Sequence, residues 1–306
     1  MISNSRGINL DTSNNNIINE NIVTDNSHGI YLWDSSNNIL FDNIVSSSSN
    51  YGIELWPYTS GSYGNILSGN IVSSSGVDGI VLNGADNNTV SGNIISSNRQ
   101  YGITLMANNN LIHGNTIANN SGSGIYFGWT RNNIISSNTI KDNSRGVFLY
   151  GEGENNKIFH NNFINNKNQV VSSKEHFNTW DDGYSSGGNY WSDYAGVDAD
   201  GDGIGDTAYV IDDNNIDHYP LMGPFNSFNT SVGYSVDVVS NSTIGDFRYF
   251  ESNSTIIMHV SNMTANQAFG FCRLAIPHEL VPPPYTVKVN DTIINFQTIY
   301  ENYTEG

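Results

Sequence analysis

A nine-residue run, Asp198-Ala199-Asp200-Gly201-Asp202-Gly203-Ile204-Gly205-Asp206, places carboxylates at positions 1, 3, 5 and 9 of a short loop. Gly203 falls at position 6, where a loop that wraps a hard cation turns sharply. Ile204 would add its backbone carbonyl at position 7. Four carboxylates this close repel unless a cation neutralises them. The pattern therefore predicts a structural calcium ion. Position 12 is Tyr209 rather than Glu, so the missing ligand is assigned to Asp212, Asp213 or Asp217.

A second set of residues suits sugar chemistry. Glu54, with Asp34, His28 and Asp78 at nearby turns, supplies acid–base groups. Paired carboxylates serve glycoside hydrolysis, and a base beside a cationic group or metal serves elimination from an acidic sugar. Tyr31, Trp33, Trp56, Tyr126, Trp129 and Tyr150 offer ring faces for the apolar faces of sugars. These residues form a site only if the fold lines them up on one side.

A repeat does so. Gly followed by a β-branched residue recurs at Gly7, Gly29, Gly52, Gly79, Gly102, Gly124 and Gly146, in steps of 22, 23, 27, 23, 22 and 22 residues. Each copy reads G-[IV]-x-[LF]. One Asn follows at 16, 38, 65, 88, 110, 133 and 156, and a second Asn comes five residues after each. Apolar residues alternate in three short runs per copy, the period of strands. Short strands at a fixed period mean a solenoid. The expected fold is all-β: a right-handed parallel β-helix of seven coils of about 22 residues over 1–171, with Ile and Leu columns inside and Asn columns at the corners.

In such a coil the residues two and four places after each Gly face outward. Tyr31, Glu54, Tyr126 and Phe148 then share one column, and Trp33, Trp56 and Tyr150 another, with Trp129 beside them. No Arg or Lys occupies those outward positions, which favours a neutral glycan over an acidic one. The surplus of the 27-residue step is an exposed loop, Pro57 to Gly64.

The repeat resembles the β-helix of NosD-like and related carbohydrate-associated surface proteins, over roughly residues 1–170. That resemblance implies the fold; the fold itself serves lyases, hydrolases, epimerases, adhesins and spacers alike. The NosD name implies copper-site maturation, yet no His, Met or Cys cluster suited to copper is visible in the sequence. Residues 172–222, with GNYWSDY, the acidic loop and an ID-x-YPL ending, resemble the closing segment of archaeal surface proteins of this kind. They are expected to cap the last coil with Trp180, Tyr190, Trp191, Tyr194, Tyr209 and Tyr219, and Asp181-Asp182 is read as a structural turn. After Gly223-Pro224, residues 225–306 alternate in strand fashion and resemble immunoglobulin-like β-sandwich modules.

A net charge of −18 argues against nucleic acid and anionic membranes as partners. No apolar run is long enough to span a bilayer. Cys272 is alone, and its setting, GFCRLAIP, predicts a buried small hydrophobe. Met1–Arg6 matches the last corner of a coil, so further coils and a secretion signal are expected upstream. The leading functional expectation is a secreted or cell-surface, non-catalytic protein that binds a polysaccharide or surface glycan on the aromatic face. A polysaccharide lyase, hydrolase or epimerase using Glu54 and its neighbours is the competing one, and a purely structural spacer the third.

Overall fold

The computed structural model describes residues 4–59, 61–173 and 176–299, so Met1–Ser3 of the expected first corner lie outside it. Three parallel sheets of eight strands run the length of a solenoid. One coil is His28–Trp33, Ile39–Phe41 and Ile44–Ser46, each strand pairing with its counterparts in the coils before and after. The eighth strands are Asn168–Ser172, His176–Thr179 and Tyr190–Trp191, so the segment after 171 supplies two sides of an eighth turn. The parallel β-solenoid expected from the repeat is present.

The inward columns follow from the alternation. Ile30, Ile53, Ile80, Ile103 and Ile125 stack in register and are fully buried, as are Leu32, Leu55, Leu82 and Leu105. The third sheet's column reads Val45, Val72, Ile95, Ile117, Ile140, Phe163 and Trp191. Trp191 lies on Phe163 at 4.3 Å and Tyr209 lies on Trp191 at 4.3 Å, so widening aromatic rings close the core. Trp180 is fully buried beside them, with Tyr194 and Tyr209 packed against the same core. Tyr190 and Tyr219 instead join a smaller cluster with Ile204, Leu221, Phe225 and Val239.

The repeated Gly has a steric cause. A Cβ at Gly52 would lie 2.6 Å from the carbonyl oxygen of Gly79 and 2.4 Å from Val72. Only a residue without a side chain lets the coils stack there.

The Asn columns are hydrogen-bonded ladders. Asn93 Nδ2 donates to Leu67 O, Ser91 O and Asn115 Oδ1, while Asn93 Oδ1 accepts from the backbone N and the Nδ2 of Asn70. The same pattern recurs from Asn21 to Asn161, and a parallel ladder runs from Asn16 to Asn156. A third ladder, Asn98–Asn120–Asn143–Asn166, holds the last corner. The left-handed turn sits on the residue before each ladder Asn, as at Asn87, Asn109 and Asn132, which frees the ladder Asn to span two coils.

Beyond Pro224, a three-stranded antiparallel sheet of Phe225–Asn229, Ser235–Ser240 and Cys272–Ala275 shares a small core with the hairpin Ser242–Phe250 and Thr255–Asn262. These small sheets are the part of the expected sandwich seen among the described residues. Cys272 does not take the buried place expected of it. It is exposed, on a strand at the edge of the sheet.

Asn93→Ala removes two N–H donors shared among three acceptors, and an oxygen that accepts two bonds, at a buried corner. It should lower unfolding free energy by roughly 2–4 kcal/mol. Ser75 sits in the third corner column with its hydroxyl unpartnered beside Asn98. Ser75→Asn should extend that ladder and raise stability by about 1 kcal/mol, both changes being read from urea denaturation midpoints.

Candidate functional site

The outer face of the first sheet gathers most of the sugar-type candidates. Tyr31 pairs with Glu54, and Trp33 with Trp56, on adjacent strands, and Tyr126 pairs with Phe148 further along. Trp129 is 57% exposed, Tyr150 40% and Trp56 37%. Trp33 is half-buried and stacks on Tyr58 of the Pro57–Gly64 loop at 5.5 Å. Tyr126 stacks on Tyr150, whose ring meets the edge of Trp129. Gly151 makes room for that indole: a Cβ there would lie 2.8 Å from the Trp129 ring. Tyr31 is the exception, only 4% exposed, because Arg6 covers its face at 3.9 Å and His28 meets its edge.

That cover comes from a column the repeat did not single out, the residue just before each Gly: Arg6, His28, Tyr51, Asp78, Tyr101, Ser123 and Arg145. Its members lean over the outward strand residues. Tyr101 stacks on Tyr126 at 4.8 Å, and the Arg145 guanidinium lies 4.7 Å from the Phe148 ring centre. The face therefore carries two cationic groups, at its two ends, although no outward strand position is Arg or Lys. The signal was available as the chemically varied position ahead of an unvarying Gly.

Of the acid–base candidates, the fold joins His28 to Glu54. His28 Nδ1 lies 2.7 Å from Glu54 Oε2, and the carboxylate side chain is 4% exposed. Burial raises the Glu54 carboxyl, and the adjoining His28 draws it back down. Asp78 is also buried; it accepts bonds from Thr104 Oγ1 at 2.7 Å and Tyr101 N at 3.0 Å, yet burial raises it. Tyr51 is raised by burial first and by the charges of Asp78 and Glu54 next. Asp34 has another task. Its carboxylate accepts from Tyr58 N, Thr59 N and Thr59 Oγ1, which pins the loop that carries Tyr58.

The acidic loop also forms. Asp198, Asp200 and Asp202 bring oxygens within 4.8 Å of one another. Asp198 accepts from the backbone N of Gly201, Asp202 and Gly203, and Asp202 Oδ1 accepts from Ile204 N. Partial desolvation first, then the Asp202 charge, raises the Asp200 carboxyl. Asp206 stands outside the trio and binds Ala199 N. The Ile204 side chain is buried against Leu221 and Phe225. The proposed distal ligands are employed elsewhere. Asp217 is fully buried and accepts from Asn189 N, Trp191 Nε1 and Tyr219 N. Asp212 accepts from Asn214 N and Asn215 Nδ2. Asp213 is not gathered with the trio. Asp181 binds Gly183 N and His218, as a structural turn does.

The NosD family, described as a periplasmic copper-binding protein, matches residues 1–60 and 58–196. This chain belongs to the NosD family. A probable ABC transporter binding protein NosD of Pseudomonas aeruginosa is 53% identical over 55 residues, a segment that is 17% of this chain and 12% of the relative. Among solved structures, a double mutant of the periplasmic alginate epimerase AlgG covers 52% of this chain and 38% of its own, with a TM-score of 0.47 and 22% identity. Pectate lyase Pel9A covers 62% of each chain, with a TM-score of 0.44 and 14% identity. The residues present do not fit copper. Among the described residues, the one group of three or more His, Cys, Asp or Glu side chains able to share an ion is all carboxylate, a donor set for hard cations.

Asp217 yields a pH prediction. Burial lifts its carboxyl to about 6 despite the N–H donors. The folded protein thus holds a proton that the unfolded chain has released. Its contribution to stability is fully present below about pH 4 and is lost as pH rises through 6, by roughly 3 kcal/mol. Denaturation midpoints of wild type and Asp217→Asn, followed by tryptophan fluorescence between pH 4 and 7 without added divalent ions, should differ in slope in that sense.

Proposed function

We propose that this NosD-family β-helix acts outside the cytoplasm, at the cell surface or in the envelope, and binds a glycan along the aromatic face. The observation that carries the reading is the two exposed platforms, Trp33–Tyr58 with Trp56, and Trp129–Tyr150. Both lie on one sheet face, four coils apart, or about 19 Å at strand spacing. Their hydroxyl and indole edges add polar handles beside the ring faces. The family description, a periplasmic one, supports the location. Between the platforms lie Asn83 and Met106, small enough in charge and bulk to leave the path open. The C-terminal sheets serve in this reading as an appended sandwich-type module.

A glycan array should show binding by wild type that Trp33→Ala/Trp56→Ala weakens at least tenfold. Absence of binding to every glycan would leave a scaffold role. The buried His28–Glu54 pair supports a second, catalytic reading, because a desolvated acid beside an imidazole is a costly arrangement for a mere spacer. The same glycans, scored for product release that Glu54→Gln abolishes, would favour it.

The cap, in this reading, holds one structural calcium ion on Asp198, Asp200 and Asp202, in a loop with little apolar content of its own. Titration calorimetry should show one site and a higher melting temperature with calcium. A variant Asp200→Ala/Asp202→Ala that melts like wild type at every calcium concentration would overturn the assignment.

A further inference from the structure

The asparagines of this chain fall into two populations. Of the 40 in residues 1–224, two open an Asn-x-Ser/Thr triplet; of the nine in residues 225–306, six do, at 229, 241, 253, 262, 290 and 302. Ser and Thr are 39 of the first 224 residues and 16 of the last 82, so their abundance hardly differs between the two stretches. At the latter share chance would place about two triplets on nine Asn, against the six present. Corner ladders do not explain these Asn either, because the antiparallel sheets beyond Pro224 have no stacked coils. Four of them, Asn229, Asn253, Asn262 and Asn290, stand at strand ends or turns, and all four are exposed. Among the described residues their amide nitrogens have no protein acceptor. Asn241 differs. It is half-buried, its Nδ2 donates to Phe269 O at 3.3 Å, and its Oδ1 accepts from Phe271 N at 2.9 Å. Asn302 lies outside the described residues.

We propose that Asn229, Asn253, Asn262 and Asn290 are N-glycosylated, an inference that rests on the extracytoplasmic location argued above. The step joins Asn Nδ2 to the anomeric carbon of a sugar activated as a lipid-linked phosphate ester. The carbon–oxygen bond to phosphate breaks, the lipid phosphate leaves with the bonding pair, and the amide gives up one proton. The transferase is a separate membrane enzyme. This chain supplies the acceptor nitrogen and, two residues on, the Ser or Thr hydroxyl that the transferase recognises. Exposure is required whichever comes first: a glycan added before folding must end in water, and one added afterwards must be delivered from it. The placement also has a physical consequence. Strand Thr255–Asn262 is an edge of a two-stranded sheet and leaves Ile257 and Val260 52% and 47% exposed, an arrangement that invites pairing with another chain. Asn253 and Asn262 bracket this strand, so a hydrated glycan at each end shields it.

The test is peptide mapping by mass spectrometry of the full chain, tagged and recovered from the cells that naturally make it after separation of cytoplasm, envelope and medium. Peptides bearing the four Asn should be heavier by whole sugar residues, and the one bearing Asn241 should not. Each Asn→Gln change at the four positions should remove one step of the electrophoretic shift. Thr255→Ala and Thr264→Ala, which keep the acceptor Asn, should abolish modification of Asn253 and Asn262, whereas Thr255→Ser and Thr264→Ser should preserve it. A chain recovered outside the cytoplasm with all four peptides at their unmodified mass sinks the proposal and leaves the location standing; a chain confined to the cytoplasm sinks both. Added mass that survives loss of the hydroxyls would rule out transfer at these triplets.

Discussion

The structure depends on the corner amides. A solenoid of short strands has few backbone bonds per strand, and each coil must change direction three times over about 22 residues. Every corner leaves backbone carbonyls and N–H groups that water cannot reach. The ladder Asn side chains satisfy them: Asn115 Nδ2 bonds Val90 O in the coil below, while Asn138 Oδ1 takes the backbone N of Asn115 from the coil above. An unmade bond there costs about 1–3 kcal/mol. The ladders therefore fix both the corner and the register of the coils. The stacked Ile and Leu columns supply the burial, and a slide by one residue would both break the amide bonds and turn those side chains outward.

With the register fixed, the outer face is a matter of which side chain each coil contributes. The strand positions bring Tyr31, Glu54, Thr104 and Tyr126 into one column, and the positions before Gly lean over them. A residue that would be exposed on an isolated strand is thereby buried, as Glu54 is, at 3%. Rigidity has the same source. The platforms at Trp56 and Tyr150 stand on strands whose spacing neither ligand nor solvent can alter, so binding there would cost little ordering of the backbone.

The repeat was legible in the sequence because Gly, Ile and Asn each do one thing at a fixed place. Gly52 admits the next coil's carbonyl, Ile53 fills the core, and Asn65 and Asn70 hold two corners. Alternation also located the outward columns. What it did not show was how far those columns are covered. Tyr31 and Glu54 face outward and yet are buried, because Arg6 and His28 reach across from a turn whose direction no period encodes. Asp34 looked like an acid–base group because its partner, the Tyr58–Thr59 backbone, lies in an irregular loop. Cys272 was expected to be buried from its type and apolar setting, and is exposed, because alternation does not say which face of a strand the tertiary packing covers.

The distal acids of the cap have a directional origin. Along most rungs the ladder amide donates Nδ2 toward the C-terminal end and accepts on the other side, and the backbone N of each rung donates the same way, so an acceptor suits the last rung. The ladder through Asn161 and Asn189 ends on Asp217, the one through Asn156 and Asn178 reaches Asn215 and then Asp212, and the third passes from Asn166 to Gln169 and the Ser192 hydroxyl. A carboxylate suits this end because it accepts on both oxygens and has nothing to donate. The aligned amide dipoles also point their positive ends at it, as backbone N–H groups do at other anion sites. Asp217 and Asp212, spaced like metal ligands in the sequence, are thus bound to the solenoid. Only Asp198, Asp200 and Asp202 are gathered in the cap without a rung to terminate, and a cation there would have to complete its shell from their oxygens, backbone carbonyls and water.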